Sequence, residues 1–190
     1  VITSSIKSRL IIISDLWGIK RSDWLQEYRK ILETVFQIHI YDSCSLGEID
    51  VSQSIEKDIH DQFIQRGIKT AVNSLLEKEK KKVNILALSI GGTIAWKAAL
   101  EGLDIDTLYT VSSTRLRYEL ETPNCKVKCY FGAEDKNIPD RDWFQKRRIK
   151  PIIYKEKNHQ LYTDTDFMHR ICNEIIVNTL KKIRTNDFKK

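Results

Sequence analysis

Along the chain, short unbroken apolar runs alternate with longer segments in which apolar residues return every three or four positions. The first run, Arg9 to Ser14 ("RLIIIS"), has strand character and ends at Asp15-Leu16-Trp17-Gly18. From Ser22 to Phe36 the spacing of Trp24, Leu25, Tyr28, Ile31, Leu32 and Val35 predicts a helix with Ser22 placed to cap it. Gln37 to Tyr41 ("QIHIY") alternates as a strand and gives way to Asp42-Ser43-Cys44-Ser45. A long helix follows, with Ile55, Ile59, Phe63, Ile64, Ile68, Val72, Leu75 and Leu76 on one stripe. Strands are then predicted at Val83–Leu88, Thr107–Val111, Val127–Phe131 and Ile149–Lys155, with helices at Thr93–Glu101 and from about Asp164 to Ile183.

Continuous apolar strands are buried on both faces, and their alternation with amphipathic helices predicts the α/β class: a mostly parallel central sheet of about six strands with helices on both faces. At 190 residues one domain spanning 1–190 is expected. Charged residues make up 31% of the chain with both signs interspersed, and no apolar stretch approaches the ~20 residues of a membrane span, so a soluble protein with no membrane span is expected. Val1 to Leu10 lacks the basic flank and cleavage site of a secretory signal, although a chain that opens on Val1 leaves a processed leader open.

Cys125 and Cys129 fall on one extended strand, where four residues span roughly 13 Å, too far for a disulfide. With Cys44 and Cys172, and no CxxC pair, they read as reduced thiols of a cytoplasmic protein, with no metal site. "GGT" before Lys97 lacks phosphate-loop spacing. No cofactor is implied, and a net charge of +6 is mild for this length, so no nucleic-acid partner is expected.

In a parallel α/β sheet the strand-to-helix loops open at the carboxyl edge, where ligands bind. Ser89, Asp135 and His159 each follow a predicted strand, so folding delivers all three to that edge. Alone, a serine before two glycines is ordinarily loop, an aspartate there a turn former, and a histidine a surface residue. Together, in the order Ser, Asp, His, they resemble the α/β-hydrolase fold. "ALSIGG" (Ala87 to Gly92) is similar to the nucleophile elbow G-x-S-x-G, with alanine at the first glycine. "GAEDKNIP" (Gly132 to Pro139) matches that fold's glycine, aspartate and proline spacing and assigns the acid to Asp135 rather than Glu134. "NHQLY" (Asn158 to Tyr162) lies where the histidine is found.

The resemblance implies a serine hydrolase of esterase or thioesterase type, compact and capless. His159 takes the proton of the Ser89 hydroxyl, Asp135 orients the ring, and an acyl-enzyme forms. The oxyanion hole, whose donors are commonly worth ~3 kcal/mol each, falls to the N–H groups of Ile90 and Trp17. Asp15-Leu16 replaces the His-Gly that usually opens the loop, which leaves the loop's geometry open. The space before Arg9 is short for the fold's leading strands, and 111–126 leaves none for a helical cap.

Five cations, Lys20, Arg21, Arg115, Arg117 and Lys136, fall on loops at the same edge. They are either ordinary surface charge or a rim that steers an anionic substrate or an acidic acyl carrier protein. With the Trp17-Gly18 pair, a basic rim makes the chain resemble, distantly, the small esterases that release pimeloyl methyl ester on acyl carrier protein in biotin synthesis. A non-catalytic binding protein and an acyltransferase with the same triad are the alternatives. His39, His60 and His169 read as structural or solvated, the charged run 78–82 as a solvated helix end, and Trp17 and Trp24 as packing or substrate walls.

Overall fold

The structure is a computed structural model that describes residues 7–52 and 55–187. Residues 1–6 of the stretch read for a leader lie outside the described residues, as do the ends of the span assigned to one domain. Six strands, β1 (Ser8–Ile13), β2 (Phe36–Tyr41), β3 (Val83–Leu88), β4 (Ile105–Val111), β5 (Lys126–Gly132) and β6 (Ile152–Tyr154), pair in the order β2-β1-β3-β4-β5-β6. Every pairing is parallel. This is the expected sheet.

Its inner strands bury both faces, which is why they read as unbroken apolar runs. Leu10 and Ile12 of β1 join Leu86 and Leu88 of β3 beneath α1 (Leu25–Leu32) and α7 (Thr165–Asp187), whose Phe167, Met168, Ile171, Cys172 and Ile175 complete that layer. Ile11 and Ile13 turn the other way with Ile85 and Ala87. They pack under α3 (Glu56–Gln62), α4 (Ile68–Lys78), α5 (Ile90–Leu100) and α6 (Arg141–Lys146). The period of two therefore divides one apolar run between two cores.

Several boundaries differ from the sequence expectation for local reasons. Ser22 does not cap α1: its hydroxyl donates to the Gly18 carbonyl at 2.7 Å, the helix starts at Leu25, and Phe36 is drawn into β2. The long helix runs to Lys78 but is interrupted by a π-helical turn at Phe63–Gly67, where the missing side chain of Gly67 leaves room for Ile49. Two short helices were not anticipated. α2 (Ser43–Leu46) is capped by the Asp42 carboxylate, which accepts the Ser45 N–H at 3.0 Å, and α6 by Asp140, which accepts the Trp143 N–H at 2.7 Å. β6 keeps only three of the seven residues expected of it.

The reading of 78–82 as a solvated helix end fails at Glu79. Its carboxylate is buried and takes two bonds from Arg9, at 2.6 and 3.0 Å, and one from the Tyr41 hydroxyl at 2.6 Å. Burial pushes this carboxyl up, but the bonds from Arg9 and Tyr41 outweigh it and hold it below its ordinary value. All four cysteines are free thiols. No helix among the described residues is long and apolar enough to cross a membrane.

α5 starts at Ile90 rather than Thr93, because two glycines let the chain turn into a helix where only backbone fits. A Cβ on Gly91 would stand 2.7 Å from the Ser14 carbonyl oxygen at the end of β1. Gly91→Ala is therefore expected to lower unfolding free energy by about 1–3 kcal/mol, the usual cost of overpacking. Urea denaturation measures this, and an unchanged midpoint contradicts the close approach.

Candidate active site

The chain leaves β1 toward β2 and later returns through β3 on the other side of β1. The loops after β1 and β3 therefore diverge, and a crevice opens between them at the carboxyl edge. A cavity of about 580 Å³ lies there, bordered by Trp17 from the first loop and by Ser89 and Ile90 from the second. The loops after β5 and β6 contribute Asp135 and His159.

Ser89 sits between β3 and α5 with φ 50° and ψ −116°, a left-handed conformation that a residue with a Cβ adopts only at a cost. It is held there because its N–H donates to the Val111 carbonyl at 2.8 Å, extending the β3–β4 register one residue beyond the strand. The turn lifts the hydroxyl toward the cavity, where Ser89 Oγ lies 3.0 Å from Nε2 of His159. On the far side of the ring, Nδ1 is 2.7 Å from Asp135 Oδ2. An ionised carboxylate only accepts hydrogen bonds, so this contact places the ring proton on Nδ1 and leaves Nε2 to accept from the serine.

The carboxylate is well fixed. Its side chain is 3% exposed against 40% for the histidine, and its other oxygen accepts the Asn137 N–H at 3.1 Å. The loops carrying the pair are joined directly: Glu134 N–H donates to the Lys157 carbonyl at 2.9 Å and Ala133 N–H to the Tyr154 carbonyl at 2.8 Å. Gly132 allows this, since a Cβ there would overlap the Lys157 carbonyl. Asn158 then caps the 3-10 turn His159–Thr163 by accepting the Gln160 N–H at 2.9 Å.

The two N–H groups expected to face a developing oxyanion differ. Ile90 opens α5, so its N–H has no intrahelical acceptor. The Trp17 N–H donates to Asp15 Oδ1 at 3.1 Å. Asp15 is 4% exposed, and the Ser22 and Tyr162 hydroxyls also bond to its carboxylate. Burial drives this carboxyl above its ordinary value, and the bonds from Trp17, Tyr162 and Ser22 only partly offset that. The rest of the loop is tied to α2: Ser43 Oγ donates to the Asp15 carbonyl, Cys44 Sγ to the Leu16 carbonyl, and Ile19 N–H to Asp42 Oδ2 at 2.9 Å.

Of the five rim cations, Arg115, Arg117 and Lys136 border the cavity. Lys20 and Arg21 do not. They ride on the outside of the 3-10 turn Ile19–Arg21, with the Arg21 guanidinium 5.1 Å from the centre of the Trp17 ring. His60, read from sequence as structural or solvated, lines the cavity with Glu56 and Tyr162. The sequence order brings the start of α3 to the carboxyl edge but does not say which of its side chains meets the crevice. Trp17 is a cavity wall, whereas Trp24 packs against Tyr28 and Tyr162.

No protein-family model matches this sequence, and no curated protein matches it. Solved structures do. Est1E from Butyrivibrio proteoclasticus superposes with a TM-score of 0.63 at 12% identity, over 95% of this chain and 90% of that one. Alpha/beta hydrolase domain-containing protein 10 from mouse gives 0.62 at 13% identity, over 94% and 92%. A dienelactone hydrolase from Anabaena variabilis gives 0.63 at 12% identity, over 89% and 84%. This chain has the α/β-hydrolase fold.

Two outcomes follow from the backbone and burial. Ser89→Gly and Ser89→Ala both remove the hydroxyl, but only alanine keeps the positive-φ strain, so the glycine variant should be the more stable by about 1 kcal/mol. Equal chemical stability of the two would mean the turn is unstrained. Asp15 has a raised folded-state pKa, so it binds its proton more tightly folded than unfolded, and its ionisation costs stability as pH rises through that value. Asp15→Asn retains an acceptor for Trp17 and should gain on the native chain above about pH 4 and not below. A constant difference across thermal melts at several pH values contradicts this.

Proposed function

We propose that this protein is a serine hydrolase that cleaves a carboxylic ester or thioester through an acyl-enzyme. The reading rests on one observation: an unbroken hydrogen-bonded chain from Ser89 through His159 to Asp135, beginning at a strained turn on the wall of an open cavity. The fold shared with hydrolase structures supports it.

As Ser89 Oγ attacks the acyl carbon, Nε2 of His159 takes its proton and the ring becomes cationic. Asp135 stabilises that charge at Nδ1 without itself accepting the proton. The protonated Nε2 then gives its proton to the departing alkoxide or thiolate, leaving the acyl group on Ser89. In the second half, water gives its proton to Nε2 as its oxygen attacks the acyl carbon, and Ser89 departs with that proton. The Ile90 N–H meets the developing oxyanion directly. Trp17 adds the second donor by shifting its N–H from Asp15 to the new negative charge.

The engaged Trp17 N–H also favours a second reading, a binding protein on this fold in which Asp15 closes the oxyanion site. Turnover separates the two. With p-nitrophenyl esters of rising chain length, the native protein should release nitrophenolate, Ser89→Ala should fall to background, and Asp135→Asn should lose about 10⁴-fold in kcat. Equal rates for the native chain and Ser89→Ala contradict the nucleophile assignment.

A further inference from the structure

We infer that Arg115, Arg117 and His60 form a subsite for an anionic group, a carboxylate or phosphate, carried by the substrate whose acyl carbon reaches Ser89. The inference rests on the hydrolase reading above and deepens it by naming a substrate class.

The two arginines lie on the 3-10 turn Thr114–Tyr118 after β4, and His60 lies on α3; all three border the cavity that contains Ser89. The guanidiniums are oriented by contacts within the protein. Both sit over the ring of Tyr118, Arg115 at 5.0 Å and Arg117 at 4.3 Å from its centre. Arg117 further donates Nη1 to the Thr114 carbonyl at 2.9 Å and Nη2 to the Tyr118 hydroxyl at 2.8 Å. Preorganised in this way, a planar fork loses little freedom on meeting an oxyanion.

Their charge is also uncompensated. Neither arginine forms an ion pair among the described residues, whereas Lys97, Lys128, Lys157 and Lys182 each do. The Nε of Arg115 is buried and has no hydrogen-bond partner among the described residues. Glu56, an exposed residue on the cavity border, is the acidic group closest in role to a competitor, and Glu134 and Lys136 contribute one charge of each sign.

His60 adds a proton-dependent element. Burial and the fields of Arg115 and Arg117 hold it below its ordinary value, against the opposite pull of Asp61 and Glu56. An anion placed among these groups favours the charged form of His60, so by linkage the anion binds more tightly as pH falls.

The test compares matched substrates. On the acyl side, the mono-p-nitrophenyl ester of glutarate, with a terminal carboxylate, is set against p-nitrophenyl valerate. On the leaving-group side, butyryl-coenzyme A is set against the neutral S-butyryl-N-acetylcysteamine. At least one anionic member should exceed its neutral partner by about tenfold in kcat/KM, mainly through KM, and the winning arm identifies the side that carries the charge. Arg115→Met and Arg117→Gln, checked for folding by thermal melts, should bring that ratio near unity. Ratios near unity in the native protein, or ratios that survive both substitutions, overturn the subsite.

Calorimetric titration with glutarate and with inorganic phosphate gives a readout independent of turnover. Glutarate binding should be tighter at about pH 6 than at about pH 8, with the difference flattened in His60→Gln, and affinity for both anions should be lost in Arg115→Met. A protein that binds these anions through Arg115 but hydrolyses no ester loses the hydrolase reading and keeps the subsite. One that hydrolyses neutral esters but shows neither anion preference nor anion binding keeps the reading and loses the subsite.

Discussion

The site depends on a close approach of backbone to backbone at the start of α5. Gly91 has no side chain where the Ser14 carbonyl passes, so the first turn of the helix lies directly against the end of β1. Ser89 is held in its left-handed turn from the other side, by the bond from its N–H to Val111. The same approach brings the Ile90 N–H and the Asp15–Gly18 loop to one crevice. A side chain at Gly91 would part the two loops and move the Ser89 hydroxyl away from the Asp15–Gly18 loop.

Two buried carboxylates then divide the work of holding the site. Asp135 fixes a histidine and, by accepting at Nδ1, determines which nitrogen is free to take a proton. Asp15 fixes a loop, gathering the Trp17 N–H and the Ser22 and Tyr162 hydroxyls around a charge that burial disfavours. Asp135 bonds directly to the His159 ring, whereas the direct partners of Asp15 are an N–H and two hydroxyls. Asp15 sits at the point where the chain departs from the His-Gly opening that the resemblance leads one to expect.

The fold was legible because unbroken apolar runs bounded by turns have one economical arrangement, a sheet covered on both sides, and the division of Ile11 and Ile13 from Leu10 and Ile12 follows from a period of two. Ser89, Asp135 and His159 were legible as positions for the same reason, since each follows a strand and strand ends share an edge. What escaped was whatever depends on side-chain direction. Glu79 lies in a charged run and looks solvated until Arg9 and Tyr41 arrive from β1 and β2. Likewise, His60 cannot be told from its neighbours on α3 without knowing which side of the helix meets the crevice. Lys20 and Arg21 follow the right strand, on a 3-10 turn, and still do not border the cavity.

The central claim is that Ser89 is an activated hydroxyl and not merely a strained one. Intact mass spectrometry after incubation with a fluorophosphonate, followed by peptide mapping, reads this directly, because only a serine whose proton has somewhere to go attacks phosphorus at a useful rate. One adduct per chain on Ser89, absent after prior heat denaturation, is the result this account requires. An unmodified chain, or an adduct spread over other residues with Ser89 untouched, contradicts it.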